Sequence, residues 1–162
     1  MNVYSFQNCS GRVVGSKCGD HYIDDEERWK CLFGEYKMPL LEVDHVINAA
    51  QYDSYQMGVD LGSDDVQKYN RKQREYAEDP FRSTMRAVVL DNITSDVLSS
   101  ACFHHCTSEQ DNFWGITVDD VSFADMLGNF MNGDKWRTGG NKWIGNCTDG
   151  INCGYGCDDM LV

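Results

Sequence analysis

Five consecutive residues, Cys102-Phe103-His104-His105-Cys106, hold half of the four histidines in the 162-residue chain and two of its eight cysteines. Neutral imidazole accepts a proton near pH 7, so a histidine here is a candidate general base. A base that activates a weak nucleophile needs a carboxylate to fix its tautomer and to stabilise the imidazolium that forms. Asp53, within Tyr52-Asp53-Ser54-Tyr55-Gln56-Met57, is the candidate carboxylate. Its competing role is an Asx-turn or a helix cap. The Cys/His stretch has a competing role too, as a zinc half-site. Adjacent histidines on extended backbone point in opposite directions, so Cys102, His104, His105 and Cys106 would not all converge. No metal ion and no cofactor is therefore expected, and Cys106 is read as a disulfide partner. His45 sits inside an apolar run and is read as structural. Trp114, Trp136 and Trp143 could stack on sugar rings, but core or loop-anchoring roles are preferred.

These side chains need elements to carry them. Residues 43–50, Val-Asp-His-Val-Ile-Asn-Ala-Ala, read as a short buried strand with Asp53 just beyond it. Residues 96–103, Asp-Val-Leu-Ser-Ser-Ala-Cys-Phe, read as a second strand that His104-His105 ends. Between them, 64–79 is charged and reads as an exposed helix or excursion. Residues 81–93 place Met85, Val88, Val89 and Ile93 at helical spacing, with Asp79-Pro80 as a helix start. Residues 119–131 predict an amphipathic helix. The segment 139–157, rich in Gly, Asn and Cys, predicts a stapled irregular tail. Residues 1–30 read as polar loop, followed by Trp29 and Phe33 packed inward around Cys31. The order strand, Asp, helix, strand, His, helix is the order of the last third of an α/β-hydrolase, in which Ser precedes Asp and Asp precedes His. The two strands are expected to be parallel neighbours, which would open both following loops on one edge of the sheet.

Composition narrows the classes. Hydrophobic residues at 41% and aromatics at 12% argue for a folded core. A formal net charge of -12 without a Lys/Arg run excludes nucleic acid as an expected partner. No apolar run is long enough for a membrane span. Cys9, Cys18, Cys31, Cys102, Cys106, Cys147, Cys153 and Cys157 form an even set that points to an oxidising, extracellular setting. Their pairing cannot be deduced from spacing. Asn8, Asn92 and Asn146 each begin an N-x-S/T sequon, as in a glycoprotein. The first ten residues lack the basic and apolar regions of a signal peptide, so the chain is expected to be the C-terminal part of something longer.

The chain resembles the pectin acetylesterase/Notum family. The matching pieces are Cys18, Glu27-Arg28-Trp29-Lys30-Cys31-Leu32-Phe33-Gly34, Pro39, Tyr52-Asp53-Ser54-Tyr55-Gln56 and Cys102-Phe103-His104-His105-Cys106, with the Cys-rich end around Cys147, Cys153 and Cys157. The resemblance covers nearly the whole chain and roughly the C-terminal half of the family domain. It implies one partial domain over 1–162 and an α/β fold, the C-terminal portion of an α/β-hydrolase with parallel strands and a disulfide-rich tail. It implies a secreted carboxylic-ester hydrolase acting on an acylated polysaccharide or a lipidated protein. By the family's Cys-x-x-His pattern, His105 matches the triad base and Asp53 the triad acid, and His104 has no triad role. Nothing in 1–162 matches the family's Gly-x-Ser-x-Gly elbow or the glycines of its oxyanion hole, so the serine is expected on a missing N-terminal half and the isolated chain is expected to be inactive. The alternative is a non-catalytic, disulfide-stapled secreted module.

Overall fold

The computed structural model describes residues 16–24, 26–41, 43–63, 65–91, 95–105, 112–132 and 140–154. The chain forms two compact units, 1–44 and 45–162. In the first, helix α1 (Ser16–His21) is stapled by a Cys18–Cys31 disulfide to a turn at Arg28–Leu32, followed by helix α2 (Gly34–Lys37). Both cysteines are buried, with Tyr22 and Leu40 packed on them. The loop expected over 1–30 is thus helical over Ser16–His21 and again from Arg28, and irregular at the described residues between them. Trp29 and Phe33 do not pack inward. They are 43% and 52% exposed and meet edge-to-face at 5.6 Å. A unit this small closes its core with a disulfide, which leaves its large aromatics at the surface.

The second unit is built on a parallel sheet. Its elements are β1 (Val46–Asn48), β2 (Tyr52–Asp53), α3 (Ser54–Leu61), α4 (Arg71–Tyr76), α5 (Ser83–Asp91), β3 (Asp96–Ser99), β4 (Phe103–His104), α6 (Asn112–Gly115), β5 (Thr117–Val118), β6 (Val121–Ser122), α7 (Phe123–Met131) and β7 (Lys142–Ile144). The sheet order is β1-β3-β7, and both pairings are parallel. The two expected strands are therefore parallel neighbours. The first is shorter than 43–50, because Val43 is 69% exposed and lies outside the ladder.

Helices cover both faces, as a parallel sheet requires. Leu98 packs with Val118 and Met126 of the α7 side, joined by Trp143, its register partner on β7. Val97 points the other way. Its register partner Lys142 sends Nζ to the carbonyls of Val89 and Leu90, 2.8 and 2.6 Å away, at the end of α5. A cation at a helix C-terminus satisfies orphan carbonyls and complements the dipole. That strand lies inside the tail expected to be irregular. Three residues between glycines and asparagines are too few to show a period.

Two further boundaries differ from expectation. Asp79 is extended (φ -151°, ψ 116°) and accepts a bond from the Ser83 hydroxyl, and the regular helix runs over Ser83–Asp91. Residues 92–94, with the expected helix end at Ile93, lie outside the described residues. The helix expected from 119 begins at Phe123, where Ser122 and Asp125 form a capping box. Asp119 and Asp120 instead turn the β5–β6 hairpin, with φ of 53° and 63°. Both central residues of a two-residue hairpin turn of this kind need positive φ, which aspartate tolerates and glycine adopts without steric cost.

The second strand, expected to be continuous over 96–103, is interrupted. Asn48 pairs with Leu98, and Tyr52 pairs with Phe103. The first side advances four residues (52 − 48) and the second five (103 − 98), so the histidine-bearing side carries one extra residue. Such a bulge bends a strand and re-aims its side chains. Asp120→Gly should raise the unfolding free energy by about 1 kcal/mol, because it relieves a left-handed L-residue. Urea denaturation of the variant beside the parent checks this, and an unchanged or lowered midpoint would contradict it.

Candidate active site

Asp53 ends β2 and opens α3, and its two carboxylate oxygens do separate work. Oδ1 accepts the Gln56 backbone N–H at 2.8 Å and caps the helix. Oδ2 accepts His105 Nδ1 at 2.8 Å. The helix cap and a carboxylate partner for a histidine, set out as competing roles from sequence, are thus compatible in one residue: Asp53 caps α3 and also bonds His105. The cap removes the rotational freedom of the carboxylate, so the oxygen offered to His105 is held in place. The Asp53 side chain is 17% exposed and that of His105 47%. With Nδ1 carrying the proton toward the carboxylate, Nε2 is the basic nitrogen of the neutral ring. Tyr55, in the first turn of α3, stacks on the imidazole at 5.0 Å with planes 27° apart.

His104 faces the opposite way, as alternation on extended backbone demands. It pairs in register with Asp53, yet its side chain turns into the core and the residue is 7% exposed. Its Nε2 lies 2.7 Å from the Ser100 hydroxyl and its Nδ1 3.3 Å from the His105 carbonyl. A carbonyl only accepts, so Nδ1 donates, and Nε2 accepts from Ser100. Burial pushes the His104 pKa down. The carbonyl bond from His105 and the Asp53 charge oppose that shift, and the charge on His105 adds to it.

Beneath the pair lies Gln51, fully buried. Its backbone N–H donates to Ser100 O at 2.8 Å, and its side-chain Nε2 donates to Ser99 O and Gly145 O at 3.1 and 2.7 Å. Its Oε1 accepts from Arg82 and Arg86, each at 3.0 Å. Tyr52, also fully buried, donates its hydroxyl to Glu78 at 2.9 Å, and burial raises its pKa well above the usual phenol value.

Cys102 is disulfide-bonded, and Cys106 lies outside the described residues. Among the described residues no three His, Cys, Asp or Glu side chains converge to hold a metal ion. His45 bonds the Ser95 hydroxyl at 2.7 Å, at the opposite end of β3 from the histidine pair. Trp114 is 69% exposed, Trp143 packs in the core, and Trp136 lies outside the described residues. Cys147 and Cys153 form a disulfide in the tail. A shallow cleft of about 450 Å³ lies between α3 and α4, lined by Asp60, Leu61, Asn70, Lys72, Gln73 and Tyr76. It contains neither Asp53 nor His105, and the Gln73 side chain there is already bonded to Leu61 O and Asn70 N. No described helix is long and apolar enough to cross a membrane.

Three features of the site were not read from sequence: the Tyr55 stack, the Ser100–His104 pair and the Gln51–arginine network. The Ser100–His104 contact crosses the interruption of the strand, where period-2 alternation no longer holds, so spacing gave no signal for it. Gln51 looked like the polar end of an apolar stretch and carried none.

An α/β unit with a carboxylate–imidazole pair at the C-terminal edge of its sheet belongs among folds that place chemistry there. Residues 2–161 match the family model described as pectinacetylesterase, and the chain belongs to that family. Two crystal forms of the Wnt deacylase Notum from Drosophila share the fold. Form I has a TM-score of 0.63 at 22% identity, covering 82% of this chain and 37% of that one. Form II has a TM-score of 0.67 at 21% identity, covering 82% and 35%. The chain thus spans little more than a third of the Notum chains. No curated protein matches the sequence.

The buried His104 generates a pH dependence of folding. Its folded pKa lies below the unfolded value near 6.5, so the unfolded chain takes up the proton first. The stability it contributes is complete above about pH 6.5 and is lost as pH falls through the folded value. Urea midpoints measured from pH 7.5 to 5 should fall more steeply for the parent than for His104→Gln. Parallel slopes would contradict the assignment.

Proposed function

We propose that this chain carries the acid and the base of a Ser-His-Asp carboxylic-ester hydrolase. The single observation behind this reading is the 2.8 Å bond from His105 Nδ1 to an Asp53 carboxylate that a helix cap immobilises. The nucleophilic serine would come from the remainder of the family domain, because 1–162 contains no Gly-x-Ser-x-Gly elbow. In the first half-reaction His105 Nε2 takes the serine hydroxyl proton as the oxygen attacks the ester carbonyl. The tetrahedral intermediate collapses, the alcohol leaves with that proton, and an acyl-serine remains. In the second half-reaction water, deprotonated by the same nitrogen, attacks the acyl-serine and releases the carboxylic acid. Asp53 holds the tautomer throughout and stabilises the imidazolium without becoming protonated.

The substrate class is an acylated polysaccharide or a lipidated protein, in a secreted setting. Membership of the pectinacetylesterase family, the disulfides and the deacylase named for the structural neighbour support this. Tyr55 and Val59, one turn apart on α3 and 63% and 66% exposed, supply apolar surface that begins at the base. The remainder of the domain, or an acyl chain, would cover it. The competing reading is a non-catalytic disulfide-stapled module, favoured by the absence of a serine elbow and oxyanion glycines from these 162 residues.

In the protein joined to its serine-bearing portion, His105→Ala should lower p-nitrophenyl acetate turnover by about 10,000-fold, and Asp53→Asn by a similar factor, because a wrong tautomer is nearly as damaging as no base. Folded His105→Ala protein with near-normal turnover would remove the assignment and favour the module.

A further inference from the structure

His105 carries a peptide bond as well as an imidazole, and that peptide is held from below. The strand that delivers His105 contains one residue more than its neighbour. A bulge leaves a residue outside the ladder, so something other than regular pairing must fix the backbone beyond it. The buried His104 ring spans this irregular stretch. It accepts from the hydroxyl of Ser100 before the irregularity, at 2.7 Å, and donates to the carbonyl of His105 after it, at 3.3 Å.

Ser100 is itself fixed. It is 2% exposed, and its carbonyl accepts Gln51 N–H at 2.8 Å from the neighbouring segment. Two residues past Gln51 stands Asp53, which holds His105 Nδ1. Gln51, Ser100, His104, His105 and Asp53 therefore close a ring of hydrogen bonds and backbone that joins the two strand ends. An apolar residue would fill the space of His104 without the desolvation cost of two ring nitrogens. Here both nitrogens are bonded, and each bond ends on a different side of the irregular stretch.

We infer that His104 is a positioning residue for the base: its imidazole struts the bulge between the Ser100 hydroxyl and the His105 carbonyl, and so fixes the backbone from which His105 reaches Asp53. The catalytic consequence rests on the reading of Asp53 and His105 given above, whereas the structural strut does not. The strut needs Nε2 as an acceptor and hence a neutral ring. Burial favours that state, with Asp53 and His105 the titratable groups that face it. A displacement of even an ångström at a catalytic group costs up to about 100-fold in rate, so a strut that removes a fraction of that freedom is worth about tenfold.

The test uses three substitutions. His104→Phe fills the cavity but makes neither bond. His104→Gln retains one donor and one acceptor. Ser100→Ala removes a single hydroxyl. In the 162-residue chain, imidazole nitrogen shifts of His105 should report one Nδ1–H tautomer for the parent and for His104→Gln. They should report a mixture of tautomers for His104→Phe and Ser100→Ala. In the protein joined to its serine-bearing portion, kcat on p-nitrophenyl acetate should fall about tenfold for His104→Phe and Ser100→Ala, with KM within about twofold, and His104→Gln should recover most of the loss. A single His105 tautomer and parental kcat in His104→Phe would overturn the inference, as would equal behaviour of the Phe and Gln variants. If His104→Phe does not fold, Ser100→Ala decides by the same two readouts. If His105→Ala keeps its turnover, the esterase reading fails, and the nitrogen shifts still decide the strut.

Discussion

The geometry of the site depends on one buried amide. Gln51 is where the β1 ladder stops and the pairing that carries Asp53 begins. Its five hydrogen bonds tie that point to the β3 side, to the segment after β7 and to two arginines from the helical layer. An amide removed from water is costly unless every donor and acceptor is met, and here each is. Arg82 also reaches the Cys147 carbonyl at 2.8 Å, and Arg86 the Gly145 carbonyl at 3.0 Å. The disulfide-bearing tail is thereby fastened to the same point. Losing the amide would cost each guanidinium and each carbonyl one bond, although Arg82 keeps Cys147 O, Arg86 keeps Gly145 O and Ser99 O keeps the Gly145 N–H.

Above that anchor, roles are divided by the two faces of extended backbone. His104 and His105 are adjacent, so one must enter the core and the other must face outward. The inward one lives as a neutral ring with both nitrogens bonded. The outward one meets a carboxylate whose second oxygen caps α3. Asp53 therefore makes the helix start and the polarisation of His105 parts of one geometry. A substitution at Asp53 would alter both, whereas a substitution at Gln56 leaves the backbone N–H that the cap uses.

The pairing of Asp53 with a histidine was more legible in the sequence than the frame that holds it. That Asp53 could meet one of the two histidines followed from strand–Asp and strand–His on neighbouring parallel strands, whereas the choice of His105 over His104 rests on the resemblance to the pectin acetylesterase family. The inward turn of one histidine followed from alternation alone. β7 could not be read, since it is three residues in a run of Gly, Asn and Cys whose partner is 45 positions away (142 − 97). The turn and second strand of the β5–β6 hairpin read as the start of a helix because Asp-Asp is a weaker turn signal than Asn-Gly, and because Val121 fits the helical spacing of the apolar residues that follow. Hydrophobicity alone predicts Trp29 and Phe33 inside, although a disulfide rather than aromatic burial closes the first unit. The extra residue between Leu98 and Phe103 has no mark in composition, because a bulge exists only relative to a partner strand.

The proposed role of His105 needs a nucleophilic serine, and no Gly-x-Ser-x-Gly elbow occurs in these 162 residues. The most direct measurement is a crystal structure of the protein joined to its serine-bearing portion, after reaction with an alkyl fluorophosphonate. The account predicts a single phosphonylated serine with its Oγ about 3 Å from His105 Nε2, and His105 Nδ1 still bonded to Asp53. A labelled serine beside a different base, or no labelled serine with the Asp53–His105 bond intact, would contradict it.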